Sequence, residues 1–243
     1  MENVVFITGA SKGIGKALAE TYSNKGWQVI TFARTNTDLP DKVTQIHVDL
    51  TDSKALKEAI NKAFAEVNTA SLKRFTLINN AGRLGKIAFT ENLSLSDIAL
   101  SVQLNVTAVM QLTALVIGKL KDVKAIKTVV NLSSGAASNP YAGWSVYCAS
   151  KAAIDMFTKT VALEQKEAVY PFKVIGIRPG VVATNMQEQI RNTSKQDFNM
   201  VDKFIDLYKN NQLSTPLDVA EKIYYLEQVN SIKNGTIADL REL

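Results

Sequence analysis

An apolar, β-branched run, "NVVFIT" at residues 3 to 8, leads with no spacer into "GASKGIG" at residues 9 to 15. A strand that turns directly into a helix returns to its sheet by a crossover, so its neighbours run parallel to it. The same alternation continues to the end of the chain. β-Branched runs predict strands near 3 to 8, 27 to 33, 43 to 48, 74 to 79, 126 to 132, 171 to 178 and 234 to 238. Helical spacing predicts helices over about 13 to 25, 53 to 69, 96 to 121, 146 to 169 and 216 to 228. The order defines an α/β chain: a single-domain, Rossmann-type, doubly wound parallel sheet of about seven strands with helices on both faces. No Pro/Gly/Ser-rich linker interrupts the series, so residues 1 to 243 are expected to form one domain. The polar, weakly periodic segment near 185 to 212 reads as a lid over a site.

Several reaction classes are excluded early. Cys148 is the only cysteine and His47 the only histidine, so an intrachain disulfide and a multi-His metal cluster are ruled out. The 28 Lys and Arg against 23 Asp and Glu give a formal charge of +5, but the basic residues are scattered. Their densest cluster, "GKLKDVKAIK" at 118 to 127, reads as a solvated helix end and loop, and no nucleic-acid partner is expected. The start "MENVVFITG" lacks a basic, apolar leader pattern, and the most apolar helical stretch, "VMQLTALVIGKL", is shorter than a bilayer crossing. The expectation is a cytoplasmic protein with no membrane contact.

The glycine turn suits an anion. Gly9, Gly13 and Gly15 let the backbone turn tightly and approach a pyrophosphate, which then sits at the positive end of the following helix together with Ser11, Lys12 and Ile14. A tight strand-to-helix turn with no ligand uses the same residues. A kinase-type phosphate loop fits worse, because Ala10 and Ala17 stand where that loop needs a glycine and a hydroxyl. The end of the second strand, "TFARTN" at 31 to 36, carries no carboxylate to hold two ribose hydroxyls. It carries Arg34, whose planar fork suits a 2'-phosphate, with Lys12 placed to reach the same group. Together they favour NADP(H) over NAD; the alternative is two exposed surface cations.

The segment "SSGAASNPYAGWSVYCASK", 133 to 151, carries the chemistry. Tyr147 and Lys151, four residues apart, share a helix face, and Ser134 lies thirteen residues before the tyrosine at a strand end. Moving a phenol from its usual pKa of about 10 to neutrality needs roughly 4 kcal/mol. An ammonium about 4 Å away supplies an energy of that size at an effective dielectric near 20. Tyr147 would then give a proton to a carbonyl oxygen that the Ser134 hydroxyl orients.

These pieces, with "VDL" at 48 to 50, "NNAG" at 79 to 82, Asn105 and "RPGVVAT" at 178 to 184, resemble the short-chain dehydrogenase/reductase family over nearly the whole chain. The resemblance implies a catalytic set of Asn105, Ser134, Tyr147 and Lys151, the asparagine kinking its helix and anchoring a water that leads protons to the lysine. It implies adenine contact at Asp49 and Leu50, ribose contact at Asn80, Ala81 and Gly82, and a nicotinamide site at Pro179, Gly180, Val182 and Thr184. Within the family, "NPYAGWSVYCASKAAIDMFT", "GVVATNMQEQIR" and "NGTIADLREL" are most similar to the benzil and sepiapterin reductase branch.

That branch implies a small-molecule carbonyl substrate, either a benzil-like aromatic diketone or a pterin side chain. Tyr141, Trp144 and Met186 are the candidate apolar walls; Trp144 and Met186 are equally suited to a core. Asp239 matches the position that anchors a pterin amino group, or it is a structural aspartate ending the last strand. Other readings are an alcohol dehydrogenase working oxidatively and a non-catalytic NADP-binding sensor. A homodimer or homotetramer is implied, with Val109, Leu112, Val116 and Phe157 either packing on a partner or lying on the sheet.

Overall fold

Alternate residues of the first strand face opposite sides of the sheet, and both sides are covered: Val4 and Phe6 on one, Val5 and Ile7 on the other, all fully buried. The computed structural model describes residues 2–229 and 232–242. The parallel strands are β1 (Asn3–Thr8), β2 (Gln28–Ala33), β3 (Val43–His47), β4 (Arg74–Asn79), β5 (Ile126–Leu132), β6 (Phe172–Arg178) and β7 (Ile237–Asp239), in the order β3-β2-β1-β4-β5-β6-β7. The winding reverses between β1 and β4, which opens a crevice at their carboxyl ends.

Helices α1 (Gly13–Asn24) and, late in the chain, α8 (Pro216–Gln228) cover one face through Leu18, Tyr22, Val219 and Ile223. The other face receives α2 (Ser53–Ala65), α4 (Ala108–Leu120) and α5 (Ser145–Glu164). At its centre Phe6 meets Phe32, Phe64 and Phe75 edge-on or tilted, with ring centroids 4.9 to 5.4 Å apart.

The long helix expected over 96 to 121 is three pieces: α3 (Leu95–Val102), a π-helical turn at Gln103–Thr107, and α4. Together Leu95–Leu120 is long and apolar enough, by length and composition, to cross a membrane, which the shorter sequence stretch did not suggest. The apolar side of its α4 part lies on the sheet, with Val109, Leu112, Val116 and Leu120 buried in the core, whereas Leu95, Leu100 and Val102 of α3 are exposed. Phe157 of α5 is partly buried against the same core, so these residues lie on the sheet.

The basic stretch 118 to 127 is not wholly solvated. Lys127 is buried, donates to the carbonyls of Leu120 (2.7 Å) and Val123 (2.9 Å), and lies over the Phe172 ring, so it closes the C-terminal end of α4. Burial lowers its pKa. The last strand is shorter than expected, because Asn234 and Gly235 (φ +82°) form a turn that bonds to Val174 before pairing begins. The segment after β6 is more ordered than its polarity suggested. It folds into α6 (Asn185–Arg191) and α7 (Val201–Lys209), whose Ile190, Val201 and Phe204, with Phe198 between them, form a third apolar cluster around Trp144.

Phe6→Ala removes the ring at the centre of the aromatic group, and a loss of about 3–5 kcal/mol is expected. Urea unfolding followed by circular dichroism measures it.

Candidate active site

At the carboxyl edge of the sheet the ends of β1 and β4 are tied together. Asn80 Nδ2 donates to the carbonyls of Thr8 (2.8 Å) and Gly9 (3.2 Å), while Thr8 Oγ1 accepts from the backbone N–H groups of Asn80 (3.0 Å) and Ala81 (2.9 Å). The glycine turn wraps this junction. Gly9 (φ +70°) and Gly13 (φ +56°) hold left-handed backbone, and a Cβ on Gly15 would strike the Gly9 carbonyl and stand 2.5 Å from Asn80 Nδ2. No side chain caps the first turn of α1, whose Gly13 and Ile14 line the crevice. Glycines at the turn, free amides and a positive helix end together fit a pyrophosphate.

A cavity of about 840 Å³ follows the edge. Of the residues expected to hold a dinucleotide, Gly9, Ser11, Lys12, Gly13, Ile14, Arg34, Asp49, Leu50, Asn80, Ala81, Gly82, Pro179 and Thr184 line it. Gly15 backs the turn from beneath, Val182 is buried in the core and pairs with Ser214, and Gly180 (φ +79°) lies against the Arg241 side chain. Asp49 accepts from the Thr51 N–H (2.9 Å) and hydroxyl (2.8 Å); these bonds, with Arg34 further off, lower its pKa. Lys12 and Arg34 are both exposed on the same wall.

Tyr147 and Lys151 enter the other end of the cavity from the buried face of α5. Lys151 Nζ donates to the Leu132 carbonyl (2.7 Å) and lies 5.8 Å from the centre of the Tyr147 ring. Burial pushes the Tyr147 phenol above its ordinary pKa, and the Ser134 hydroxyl pulls it partly back. Burial also lowers Lys151 to about 8, against the field of Asp155. The lowered tyrosine expected from the sequence is therefore not what this environment produces: desolvation dominates, and the ammonium is committed to a backbone carbonyl.

Asn105 is buried within the π-helical turn. Its Oδ1 accepts from the Arg83 N–H (2.8 Å), and its Nδ2 donates to the Arg83 carbonyl (2.8 Å) and Ser150 Oγ (3.2 Å). The side chain is thus used to fix the loop after β4 beside Lys151.

Of the candidate substrate walls, only Met186 lines the cavity, its Sδ 4.0 Å from the Tyr147 hydroxyl. Trp144 is a core residue, stacked on Phe198 at 4.7 Å, with Tyr141 leaning on it at 4.9 Å; neither reaches the cavity wall. Asp239 is likewise turned away, accepting from Arg241 Nε (2.8 Å) and NH2 (2.5 Å), as a structural aspartate would. Leu84 and Gln189, which sequence reasoning missed, do line the cavity. Gln189 Nε2 donates to the Gly85 carbonyl (2.8 Å) and so ties α6 to the loop after β4. The three-residue spacing of Met186 and Gln189 on a helix was the available signal.

Comparison with known proteins agrees with this geometry. A family model for short chain dehydrogenases matches residues 3–195. Benzil reductase ((S)-benzoin forming) of Bacillus subtilis (strain 168) is 38% identical over 237 residues, covering 97% of each chain. Sepiapterin reductase of Mus musculus is 31% identical over 254 residues, covering 97% of this chain and 95% of that one. The crystal structure of the KRED1-Pglu enzyme superposes with a TM-score of 0.84 at 26% identity, covering 97% of this chain and 100% of that chain. The chain belongs to the short-chain dehydrogenase family and is an oxidoreductase, of a family that binds a nicotinamide cofactor.

Gly15→Ala must displace the Gly9 carbonyl or Asn80. Since each tenfold in affinity is about 1.4 kcal/mol and displaced backbone costs roughly 1–3 kcal/mol, dinucleotide binding weaker by about 5- to 150-fold is expected. Fluorescence titration with the reduced cofactor measures it.

Proposed function

We propose that the protein is an NADPH-dependent carbonyl reductase acting on a flat, conjugated ketone or diketone of the benzil kind. The observation that carries this reading is the convergence of Tyr147 and Lys151 at one end of a cavity whose other end is the glycine turn, with the Ser134 hydroxyl, just behind that wall, acting on the Tyr147 phenol. The benzil reductase relative supports the substrate class.

In this reading the glycine turn and the first turn of α1 hold the pyrophosphate, and Arg34 and Lys12 hold a 2'-phosphate that a carboxylate would repel. When bound, reduced nicotinamide supplies hydride to the carbonyl carbon. The Ser134 hydroxyl donates to the carbonyl oxygen as negative charge grows there. Tyr147 gives that oxygen its proton; the burial that raises its pKa keeps it protonated and ready as an acid. Lys151 supplies the positive charge that steadies the phenolate left behind. Because the acid form must be present, reduction is expected to slow as pH rises through the titration of the Tyr147 and Lys151 pair, with Lys151 near 8 in the free protein.

The substrate lies against Met186, Leu84 and Gln189, under a lid formed by α6 and α7. The bidentate Arg241 contact occupies the Asp239 carboxylate, which favours a diketone over a pterin that needs that group free. A dimer or tetramer belongs to the same proposal, with the exposed Met156 and Leu163 of α5 as apolar contact residues.

The test follows nicotinamide absorbance with benzil. Rapid oxidation of NADPH, slow oxidation of NADH and loss of that preference in Arg34→Ala are expected. Tyr147→Phe should lower kcat by about 100- to 10,000-fold while NADPH still binds. No NADPH oxidation by the unaltered protein would refute the reading.

A further inference from the structure

The buried face of α5 is joined to the end of β5 at three successive residues. The Ser134 hydroxyl acts on Tyr147, the Leu132 carbonyl accepts from Lys151, and the Ser133 hydroxyl donates to Asp155 Oδ1. Tyr147, Lys151 and Asp155 are spaced by four residues and so occupy one helix face. Asp155 is 7% exposed, and its second oxygen accepts from Arg178 NH2 (2.6 Å). The same nitrogen donates to Ser138 Oγ (2.7 Å), in the loop that follows Ser134. Arg178 is the last residue of β6 and leads directly into Pro179 on the cavity wall.

A buried carboxylate is costly unless it is paired, and this one has a guanidinium and a hydroxyl as partners. Its placement links three parts of the site: the serine strand end, the loop beyond it, and the start of the segment after β6. It also lies one helical turn beyond Lys151, whose charge it favours.

We infer that Asp155, held by Arg178 and Ser133, is a positioning residue for the reaction: it fixes the strand end that carries Ser134 and keeps Lys151 cationic beside Tyr147. The inference rests on the carbonyl reductase reading above. The charged and titrating groups around Lys151 are Tyr147 and Asp155 on its own helix, with Cys148 next to Tyr147. Arg178 lies beyond Asp155 at the end of β6, and Arg83, paired with Asp97, stands in the cavity wall. The end of β5 and the two residues after it present the Leu132 carbonyl and the Ser133 and Ser134 hydroxyls, β5 presents the uncharged Asn131 to α5, and the π-helical turn presents the uncharged Asn105.

Asp155→Asn keeps the shape and an acceptor oxygen but removes the charge. A carboxylate nearby stabilises an ammonium, so its removal lowers the Lys151 pKa. The first readout is direct: a 13C titration of the lysine ε-carbons in the free protein, with the Lys151 signal assigned by its absence in Lys151→Met. The expected Lys151 midpoint is about 8 in the unaltered protein and lower in Asp155→Asn. The second is the pH profile of kcat for benzil reduction, whose alkaline limb should move down by the same interval.

Ser133→Ala, which leaves the charge, should lower kcat with no movement of that limb. An unmoved Lys151 midpoint and an unmoved limb in Asp155→Asn, with the unaltered protein active, would overturn the inference while leaving the carbonyl reductase reading intact. Inactivity of the unaltered protein toward benzil would instead count against that reading, and the lysine titration would still decide whether Asp155 sets the charge of Lys151.

Discussion

Everything at the carboxyl edge depends on the junction between β1 and β4. Two parallel strands that diverge into opposite crossovers leave backbone donors and acceptors exposed at their ends. Here Thr8 and Asn80 satisfy one another across the gap, and Gly15 packs so closely on the Gly9 carbonyl that no side chain fits. The crevice is therefore preformed, its width set by hydrogen bonds within the protein. The uncapped first turn of α1 opens into it.

Desolvation rules the opposite end. Tyr147 and Lys151 are drawn from a helix face that also builds the core, and both are pushed toward their neutral forms by burial. In the proposed reaction a raised phenol pKa is an asset for the proton donor, and a lowered ammonium pKa is a liability for its cationic neighbour. The protein answers with local counter-groups: the Leu132 carbonyl accepts from the ammonium, and the Asp155 carboxylate lies a turn away with its own charge held by Arg178. Asn105 completes the arrangement by clamping both backbone groups of Arg83 beside the lysine.

The elements with a strong local signature were legible in the sequence. β-Branched runs marked the strands, glycine spacing marked the turn, and the four-residue interval put Tyr147 and Lys151 on one face. What escaped were contacts between segments far apart in the chain. Lys127 looked like part of a solvated basic cluster, but the end of α4 brings it two carbonyls to hold. Trp144 looked able to meet a substrate, but Phe198 and Phe204, more than fifty residues later, cover it. Gln189 had only its three-residue spacing from Met186 to mark it until α6 was seen to lie over Gly85.

The sequence by itself determined the class of fold and the place of the glycine turn, and it marked Tyr147 and Lys151 as candidates for the reaction, because each follows from backbone geometry or from spacing within one element. Tertiary structure decided which of the marked residues face the cavity, which are enclosed in the core, and how each ionisable group is biased. Those outcomes depend on desolvation and on partners supplied by other elements. Asp239 shows the difference: its place near the chain's end was readable, but whether its carboxylate is free depends on where the Arg241 side chain folds back.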